Sequence, residues 1–313
     1  MAPASPVYNR SDIPRAAAAL ERLGLKLKLG EHVLDRRGYL AGDDEARARD
    51  FEHMWCDPEV DGVICLRGGY GSPRMVDRLD YAALAERPKV FIGYSDISAL
   101  HLAIGQRANL VTFYGPMVGT FAGPADKLGY TRDAFERAVM RSEPLGAIRE
   151  DPDDPWVETI NGGVVEGELD GGCLTLLANA LGTADDFDWR GKIVFLEDTH
   201  EEPYTIDSRL LQLLRSGKLQ QVAGLVIAEH AGVEPRAYKP AFPSTLSLED
   251  VIDDLLRPLG VPTIYGLPLG HGAHLATLPL GVHARLDASA GRLEILESGV
   301  SEAEPARPRP ASG

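Results

Sequence analysis

The segment from Pro88 to Ile104 contains a short apolar strand that turns directly into an amphipathic helix. Its strand is predicted over Val90–Tyr94, and the helix begins within a few residues. The first half of the chain repeats this alternation, with helices predicted over 14–23, 44–55 and 74–79 and a strand over 62–66. Alternating strands and helices predict a parallel sheet with helices packed against it.

The turn after this strand carries Ser95, a candidate nucleophile. A serine at a sharp strand-to-helix turn projects its hydroxyl away from the sheet, and the N–H of Asp96 points toward the same space. The sequence departs from the G-x-S-x-G pattern because Ile97 stands where the second glycine is expected. The alternative interpretation is that Ser95 or Asp96 only caps the following helix.

A glycine-rich loop, Arg67-Gly-Gly-Tyr-Gly71, follows the preceding predicted strand. The ligand crevice of a parallel sheet lies beyond the carboxyl ends of its strands, so this loop and the serine turn should converge. The N–H of Gly68 or Gly69 would then complete an oxyanion hole with that of Asp96. A phosphate cradle is disfavoured because neither common phosphate-loop pattern occurs here, and a purely structural turn is the other alternative.

The composition changes at Glu150-Asp-Pro-Asp-Asp-Pro155, a stretch that disfavours regular structure. In the following half, an alternating strand is predicted over 163–172, a helix over 173–181 and a strand over 192–197. The predicted organisation is an α/β nucleophile domain at 1–140, a linker at 141–160, a β-rich domain at 161–298 and a disordered tail at 299–313.

Glu197 ends the predicted buried strand Ile193-Val-Phe-Leu196. Strand ends in a protein interior rarely carry a charge without a partner, so Glu197 is a candidate catalytic carboxylate. The alternative is a carboxylate that caps an element or pairs with an arginine. Asp198, Glu201 and Glu202 are interpreted as a solvated acidic loop.

Among the 8 histidines, His271 has the most distinctive setting, because it lies between Gly270 and Gly272 in a loop that joins two apolar segments. Such a loop can present an imidazole as a general base. His274 is the lesser candidate, and His101 is expected to be packed or at the surface. Metal binding by His271 and His274 is disfavoured, since no H-E-x-x-H spacing accompanies them. No metal and no cofactor are expected.

The formal net charge of −15 over 313 residues disfavours a nucleic-acid partner, because nucleic-acid binding depends on basic side chains that neutralise phosphates. A small or cationic substrate fits this charge better. No run approaches the ~18 apolar residues that span a bilayer, so no membrane association and a cytoplasmic location are expected. The 3 cysteines lack metal-ligand spacing and are expected to be reduced and packed.

Six ordered blocks of this sequence together resemble the LD-carboxypeptidase family of serine peptidases. The blocks are 67–71, 91–98, 112–117, 171–177, 195–198 with 203–207, and 270–272 with 277–281. The similarity extends from about Pro3 to about Leu296. It implies an α/β fold with an amino-terminal parallel-sheet, flavodoxin-like lobe and a second, β-rich carboxy-terminal lobe. It also implies a homodimer.

Carried over by position, the resemblance implies Ser95 as the nucleophile, His271 as the general base and Glu197 as the group that orients the imidazole. The implied reaction removes the terminal D-alanine from murein tetrapeptides by cutting the bond after the L-centre of diaminopimelate. Arg67 is a candidate partner for the free carboxylate of the substrate, with a structural arginine as the alternative. Tyr94, beside the nucleophile, is the second candidate substrate-binding residue.

Other activities stay open at this point. Family members similar to the microcin-C immunity peptidase use the same triad on an aminoacyl-adenylate-like peptide toxin, and Trp156 is the residue that suggests a nucleotide-like substrate. A non-catalytic muropeptide-binding protein is a further alternative. The chain also begins at what resembles the end of the family's first strand, so the first sheet is expected to lack an element.

Overall fold

The computed structural model describes residues 1–124, 128–153, 155–236 and 240–302. The helices of these residues are α1 (Asp12–Glu21), α2 (Asp44–Cys56), α3 (Tyr81–Ala85), α4 (Ser98–Ala108), α5 (Val118–Phe121), α6 (Gly129–Val139), α7 (Leu174–Ala180), α8 (Pro203–Arg215) and α9 (Leu248–Leu255). Most of the tail predicted to be disordered, 303–313, lies outside the described residues.

Strands of the described residues form two sheets. The first has the order β1-β2-β3-β10, where β1 is Gly62–Ile64, β2 is Val90–Gly93, β3 is Thr112–Tyr114 and β10 is Leu278–Leu280. The strands β1, β2 and β3 are parallel, as the alternation of elements predicted, and β10 joins them antiparallel.

The second sheet has the order β4-β12-β11-β6-β7-β8-β9-β5. Its strands are β4 (Gly146–Ala147), β5 (Glu158–Asn161), β6 (Val164–Cys173), β7 (Ile193–Glu197), β8 (Gly224–Ala228), β9 (Thr263–Leu267), β11 (His283–Asp287) and β12 (Arg292–Ile295). Its centre, β6 to β9, is parallel, and antiparallel strands flank it on both sides. The protein is thus a mixed α/β fold with a parallel-strand sheet and a second, β-rich sheet.

Two central strands of the second sheet, β7 and β8, are buried along their whole length and are apolar except for Glu197. Every residue of β7 and β8 is buried, because helices and the first lobe cover both faces of a parallel sheet. Glu197 is the last residue of β7 and shares this burial. The sheet therefore holds a carboxylate in the protein interior.

The division into domains at 1–140 and 161–298 stays a prediction, but two features refine it. Strands β4 and β5 begin inside the predicted linker 141–160 and pair with the second sheet. Strand β10 lies within 161–298, yet it pairs with β3 of the first sheet. The two lobes also share one hydrophobic cluster, in which Phe113 and Phe195 are both buried.

The helix predicted over 74–79 is wrong. Two 3₁₀ turns, Ser72–Arg74 and Val76–Arg78, occupy this segment. The side chain of Asp80 accepts a hydrogen bond from the N–H of Ala83, which starts α3 afresh at Tyr81 and leaves room only for short turns before it.

A groove of about 420 Å³ lies beside β1 and is lined by apolar side chains that include Leu25, Ile64 and Phe135. Met1 lies at the groove, where its ammonium donates to the carbonyl of Ile64 at 3.2 Å. Leu66 N–H donates to the Met1 carbonyl at 2.7 Å. Burial lowers the pKa of this α-ammonium. The expectation that the first sheet lacks a strand stays a prediction.

None of the helices in the described residues combines the length and the apolar character that crossing a bilayer requires.

Candidate active site

Ser95 lies at the carboxyl end of β2, where the chain turns sharply into α4. Its φ of +67° is in the left-handed region, which only a few non-glycine residues of the described chain adopt. A 3₁₀ turn, Ser95–Ile97, connects it to α4. A strained conformation of this kind is typical of a nucleophile at a strand-to-helix elbow. The prediction that Ser95 lies at such an elbow therefore agrees with the backbone.

Glu197 and His271 are joined by a hydrogen bond. The carboxylate of Glu197 is fully buried at the end of β7, and its Oε2 lies 2.7 Å from Nδ1 of His271. His271 follows β9 in a loop, and a Cβ on the preceding residue, Gly270, would collide with the Glu197 carboxylate. A glycine at 270 is thus what lets the imidazole approach the acid.

The environment of His271 favours its protonated form. Burial of the ring opposes the positive charge, but the hydrogen bond to Glu197 and the charges of Glu197 and Asp198 outweigh it, so that the pKa of His271 is raised above its ordinary value. Because Nδ1 faces Glu197, Nε2 is left as the basic nitrogen of the neutral ring. This arrangement suits a general base that becomes a stabilised imidazolium.

Tyr114 connects Ser95 to the other two residues. The backbone N–H of Ser95 donates to the hydroxyl of Tyr114 at 3.0 Å, and that hydroxyl donates to Oε1 of Glu197 at 2.5 Å. The ring of Tyr94, next to Ser95, lies 4.9 Å from the His271 ring, between centroids. In the described residues no hydrogen bond joins the Ser95 hydroxyl to His271, and in serine hydrolases without substrate this contact is often loose.

The glycine-rich loop lies against Ser95, as predicted from the sheet topology. A Cβ at Gly68 would stand 3.0 Å from the Cβ of Ser95 and 3.2 Å from its hydroxyl oxygen. Gly69 has a φ of +107° and continues the loop away from the serine, toward Ser5. Between the two glycines, the structure therefore places Gly68 nearer to the nucleophile.

Asp96 is turned into the protein through its side chain. Its Oδ2 accepts the N–H of Ser72 at 2.8 Å, and the Ser72 hydroxyl donates to its carbonyl. Burial raises the pKa of the Asp96 carboxyl, although hydrogen bonds from Ser72 oppose the shift. The side chain therefore anchors the elbow, and only the backbone N–H of Asp96 is a candidate oxyanion donor.

Arg67 is held by the segment near the amino terminus. Its guanidinium stacks on the ring of Tyr8 at 3.7 Å from the centroid, and it donates to the Tyr8 hydroxyl at 2.9 Å and to the Pro6 carbonyl at 3.3 Å. It is only half-buried and lies near enough to Tyr94 to influence its titration. Burial raises the pKa of Tyr94, and a hydrogen bond with Thr120 opposes this.

The interpretation of the acidic loop was wrong for two of its residues. Asp198 is 3% exposed, and its Oδ2 accepts hydrogen bonds from the N–H and the hydroxyl of Thr175 at 3.0 and 2.6 Å, at the start of α7. Glu202 is 5% exposed and pairs with Arg236 at 3.3 Å. Carboxylates with such partners can be buried, which the acidic sequence alone does not reveal.

His274 and His101 lie in other environments than His271 does. His274 lies beside Asp153 and Asp151, 3.0 and 3.7 Å away, and these groups are close enough together to hold a cation. His271 is not among them. His101 is packed inside α4, where its Nε2 contacts the Gly93 carbonyl at 2.9 Å and burial lowers its pKa to about 4.

The cysteines are free thiols, with Cys65 and Cys173 buried and Cys56 partly exposed. Burial raises the pKa of Cys65 to about 12, and that of Cys173 is also raised by burial and by the nearby carboxylates of Glu197 and Asp198. Such thiols remain protonated near neutral pH and are poor nucleophiles.

Sequence reasoning missed Tyr114 and Ser98, which both bond to the Ser95 backbone. The position of Tyr114 in the sequence was a usable signal. It ends β3, which pairs with β2, so Tyr114 is expected near the elbow that follows β2. Ser98 reads as an ordinary first residue of a helix.

Comparisons with known proteins agree with this architecture. The model of the LD-carboxypeptidase N-terminal domain matches residues 1–115, and that of the C-terminal domain matches 166–286. The chain is 38% identical over 302 residues to the probable murein peptide carboxypeptidase of Bacillus subtilis strain 168, covering 96% of this chain and 92% of the relative.

The chain is also similar to a solved structure and to a microcin self-immunity protein. The crystal structure of muramoyltetrapeptide carboxypeptidase from Oxalobacter formigenes matches with a TM-score of 0.82 at 32% identity, over 95% of this chain and 98% of that one. The microcin C7 self-immunity protein MccF of Escherichia coli is 27% identical over 321 residues, which covers 92% of this chain and 88% of that protein.

The fold and these comparisons define a serine-type carboxypeptidase, which is a hydrolase. The chain belongs to the LD-carboxypeptidase family.

Proposed function

We propose that this protein removes the terminal D-alanine from murein tetrapeptides, with Ser95 as nucleophile, His271 as general base and Glu197 as the orienting acid. The bond between Glu197 and His271, connected through Tyr114 to the Ser95 elbow, is the observation that carries the proposal. The names of the Bacillus and Oxalobacter relatives support the choice of substrate.

The reaction proceeds through an acyl-enzyme. His271 takes the proton of the Ser95 hydroxyl as its oxygen attacks the carbonyl of the penultimate residue, and Glu197 stabilises the imidazolium that forms. The imidazolium then gives this proton to the amine of the departing D-alanine as the C–N bond breaks. A water molecule, deprotonated by His271, hydrolyses the ester and restores Ser95.

The negative charge of the tetrahedral intermediate needs backbone donors. We assign these to the N–H of Asp96 and the N–H of Gly68, because Gly68 approaches the Ser95 hydroxyl more closely than Gly69 does. Arg67 and Tyr94 are proposed to bind the substrate, with the Arg67 guanidinium as the partner of the terminal carboxylate.

The finer biological setting is also part of the proposal. We place the enzyme in the cytoplasm, in the recycling of peptidoglycan fragments, as a homodimer with a small peptide substrate and no nucleic-acid partner. The net charge of −15 supports the last point. Light scattering during size-exclusion chromatography tests the dimer, and a single-chain mass would contradict it.

The test of the activity is incubation of the purified chain with murein tetrapeptide, followed by mass analysis of the products. Release of D-alanine by the native chain, lost in Ser95→Ala and His271→Ala, is expected. The same tetrapeptide with a terminal L-alanine is the control for stereochemistry. Binding without cleavage would favour a non-catalytic muropeptide-binding protein instead.

A second candidate activity is cleavage of an aminoacyl-adenylate-like toxin, which the resemblance to microcin-C immunity peptidases implies; the chain is 27% identical to the microcin C7 self-immunity protein. Trp156 is the observation that favours it: this residue is 44% exposed and packs edge-on against Tyr265 of β9, at 5.0 Å between ring centroids. An exposed indole at this place could stack on a base. Cleavage of an aminoacyl sulfamoyl adenosine that is weakened in Trp156→Ala, with no action on the tetrapeptide, would select this activity.

A further inference from the structure

Both polar groups of the Ser95 backbone are held by buried hydroxyls. Its N–H donates to the hydroxyl of Tyr114 at 3.0 Å, and its carbonyl accepts the hydroxyl proton of Ser98 at 2.8 Å. Tyr114 and Ser98 are both fully buried. The nucleophile's backbone is therefore bonded to side chains on both sides, although it lies in a turn.

Each of these hydroxyls also contacts the second sheet. Tyr114 donates to Oε1 of Glu197 at 2.5 Å, and the N–H of Cys173 donates to the Ser98 oxygen at 3.0 Å. Cys173 and Glu197 are directly paired in register at the ends of β6 and β7. The two bridges thus end on neighbouring positions of one sheet edge.

Hydrogen-bond chemistry fixes the direction of each bridge. A hydroxyl has one proton, and a carboxylate or a carbonyl can only accept. The single proton of Tyr114 must therefore go to Glu197, while its oxygen accepts from Ser95. The single proton of Ser98 must go to the Ser95 carbonyl, while its oxygen accepts from Cys173.

Gly172 provides the space for this approach. Its φ is +143°, and a Cβ there would stand 2.7 Å from the Ser98 oxygen and 3.5 Å from Cε2 of Tyr114. A side chain at this position would therefore push the serine elbow away from the second sheet.

We propose that Tyr114 and Ser98 form a hydroxyl clamp, a pair of positioning residues that fixes the Ser95 elbow to the second sheet and, through Tyr114, aims Glu197 at His271. The clamp rests on the proposed roles of Ser95, Glu197 and His271. Because Tyr114 holds Oε1 of Glu197, the other oxygen is free to face the imidazole. Among the described residues, the Ser98 hydroxyl bonds to Ser95 and Cys173 but not to Glu197 or His271.

The two members should therefore give different signatures. In Tyr114→Phe, Glu197 loses a donor, and its full negative charge acts on His271, so the imidazolium is more stable and the base is available only at higher pH. In Ser98→Ala, the elbow loosens but the acid and the imidazole keep their bond. The other groups that face His271, namely Asp198, His230 and the Tyr94 ring, are unchanged in both variants.

The test measures the rate at which a fluorophosphonate probe labels Ser95 in the full chain, as a function of pH. This readout does not depend on the identity of the peptide substrate. We expect about a tenfold slower labelling in Tyr114→Phe, with the acidic limb of the rate profile moved to higher pH. In Ser98→Ala we expect slower labelling by a few fold with the limb unmoved.

Tyr81→Phe is the matched control, because it removes the same group from a tyrosine whose hydroxyl donates only to the Val76 carbonyl, at 2.7 Å. Its rate and its profile should equal those of the native chain. Thermal unfolding of each variant separates loss of positioning from loss of folding, and if Tyr114→Phe does not fold, the slowed labelling of folded Ser98→Ala supports the clamp.

The possible failures are distinguishable. The clamp is overturned if the native chain is labelled and a folded Tyr114→Phe shows the same rate and the same acidic limb. If Tyr114→Phe does not fold, an unchanged rate in folded Ser98→Ala overturns it. Both outcomes leave the proposed function intact. A native chain that the probe does not label, at any pH, would overturn the proposed function and the clamp with it.

Discussion

Glu197 Oε2 and His271 Nδ1 lie 2.7 Å apart, although 74 residues separate them in the chain. The acid is fully buried at the end of a central strand, whereas the imidazole is on a loop and partly accessible. A rigid acid and a more accessible base are what a general-base relay needs, because the acid must hold its orientation while the base meets the substrate.

The pKa of His271 should set the pH range in which the enzyme is active. Since the folded-state pKa of His271 is raised, the neutral base should accumulate only above about pH 6.5, the ordinary histidine value, and kcat/KM should rise with pH through a limb above that value. The same shift contributes stability that is complete below about pH 6.5 and is lost as pH rises through the folded-state pKa. A pH series of kcat/KM measures the limb, and a limb below pH 6 would contradict the assignment.

Replacement of the acid should separate its two effects. In Glu197→Gln the charge that acts most strongly on His271 is lost, while burial still opposes protonation and Asp198 still favours it, so the pKa of His271 should fall and the limb should move to lower pH. Turnover should fall by about 10⁴, since the amide no longer stabilises the imidazolium. Glu201→Gln, which removes a nearby carboxylate charge after β7 and so alters the ion pair with Arg209 of α8, is the control. If both variants change turnover and the pH profile equally, Glu197 does not assist His271.

The glycine loop gives a prediction on activity and another on stability. A methyl group at Gly68 would crowd the Ser95 side chain, so Gly68→Ala should lower kcat/KM by about 10- to 100-fold with little change in Tm. Gly69→Ala places a Cβ at φ +107° and 2.5 Å from the Ser5 hydroxyl, so it should cost about 1–3 kcal/mol of folding free energy. Kinetics and thermal unfolding of both variants provide the measurement. The reverse pattern would show that the assignment of the nearer glycine is wrong.

Arg67 can be tested by the charge of the substrate terminus. Arg67→Lys should raise KM about tenfold for a peptide acid, because lysine cannot make the paired hydrogen bonds of guanidinium with carboxylate. The corresponding peptide amide should be affected much less. Tyr8→Phe is the control for the contact that holds the arginine. If acid and amide are slowed equally, Arg67 is a structural residue of the loop.

Local patterns of sequence were enough to predict the first sheet and its elbow. The short apolar run before Ser95 and the glycines of the 67–71 loop are signals that depend on near neighbours only. The parallel centre of the second sheet, from β6 to β9, was not predicted, because strand direction is set by the connections between distant segments. For the same reason, β10 could not be assigned to the first sheet in advance.

The burial of charged side chains was the second feature that could not be predicted from the sequence. Asp198 looks like part of a solvated loop, since three acidic residues follow within a few positions of Glu197. Its burial depends on Thr175, at the start of a helix that is formed elsewhere in the chain. The hydrogen bond between Tyr114 and Glu197 could likewise not be predicted, because it joins residues of two different sheets.

The loop that carries His271 is tethered at both ends to different sheets, to the second sheet through β9 and to the first through β10. Separation of the two lobes would therefore break the backbone hydrogen bonds between β10 and β3. A hinge that opens to admit a peptide is thus a costly route for this enzyme. Substrate should instead enter a cleft already assembled, and binding should be governed by side-chain adjustments at its rim rather than by motion of whole lobes.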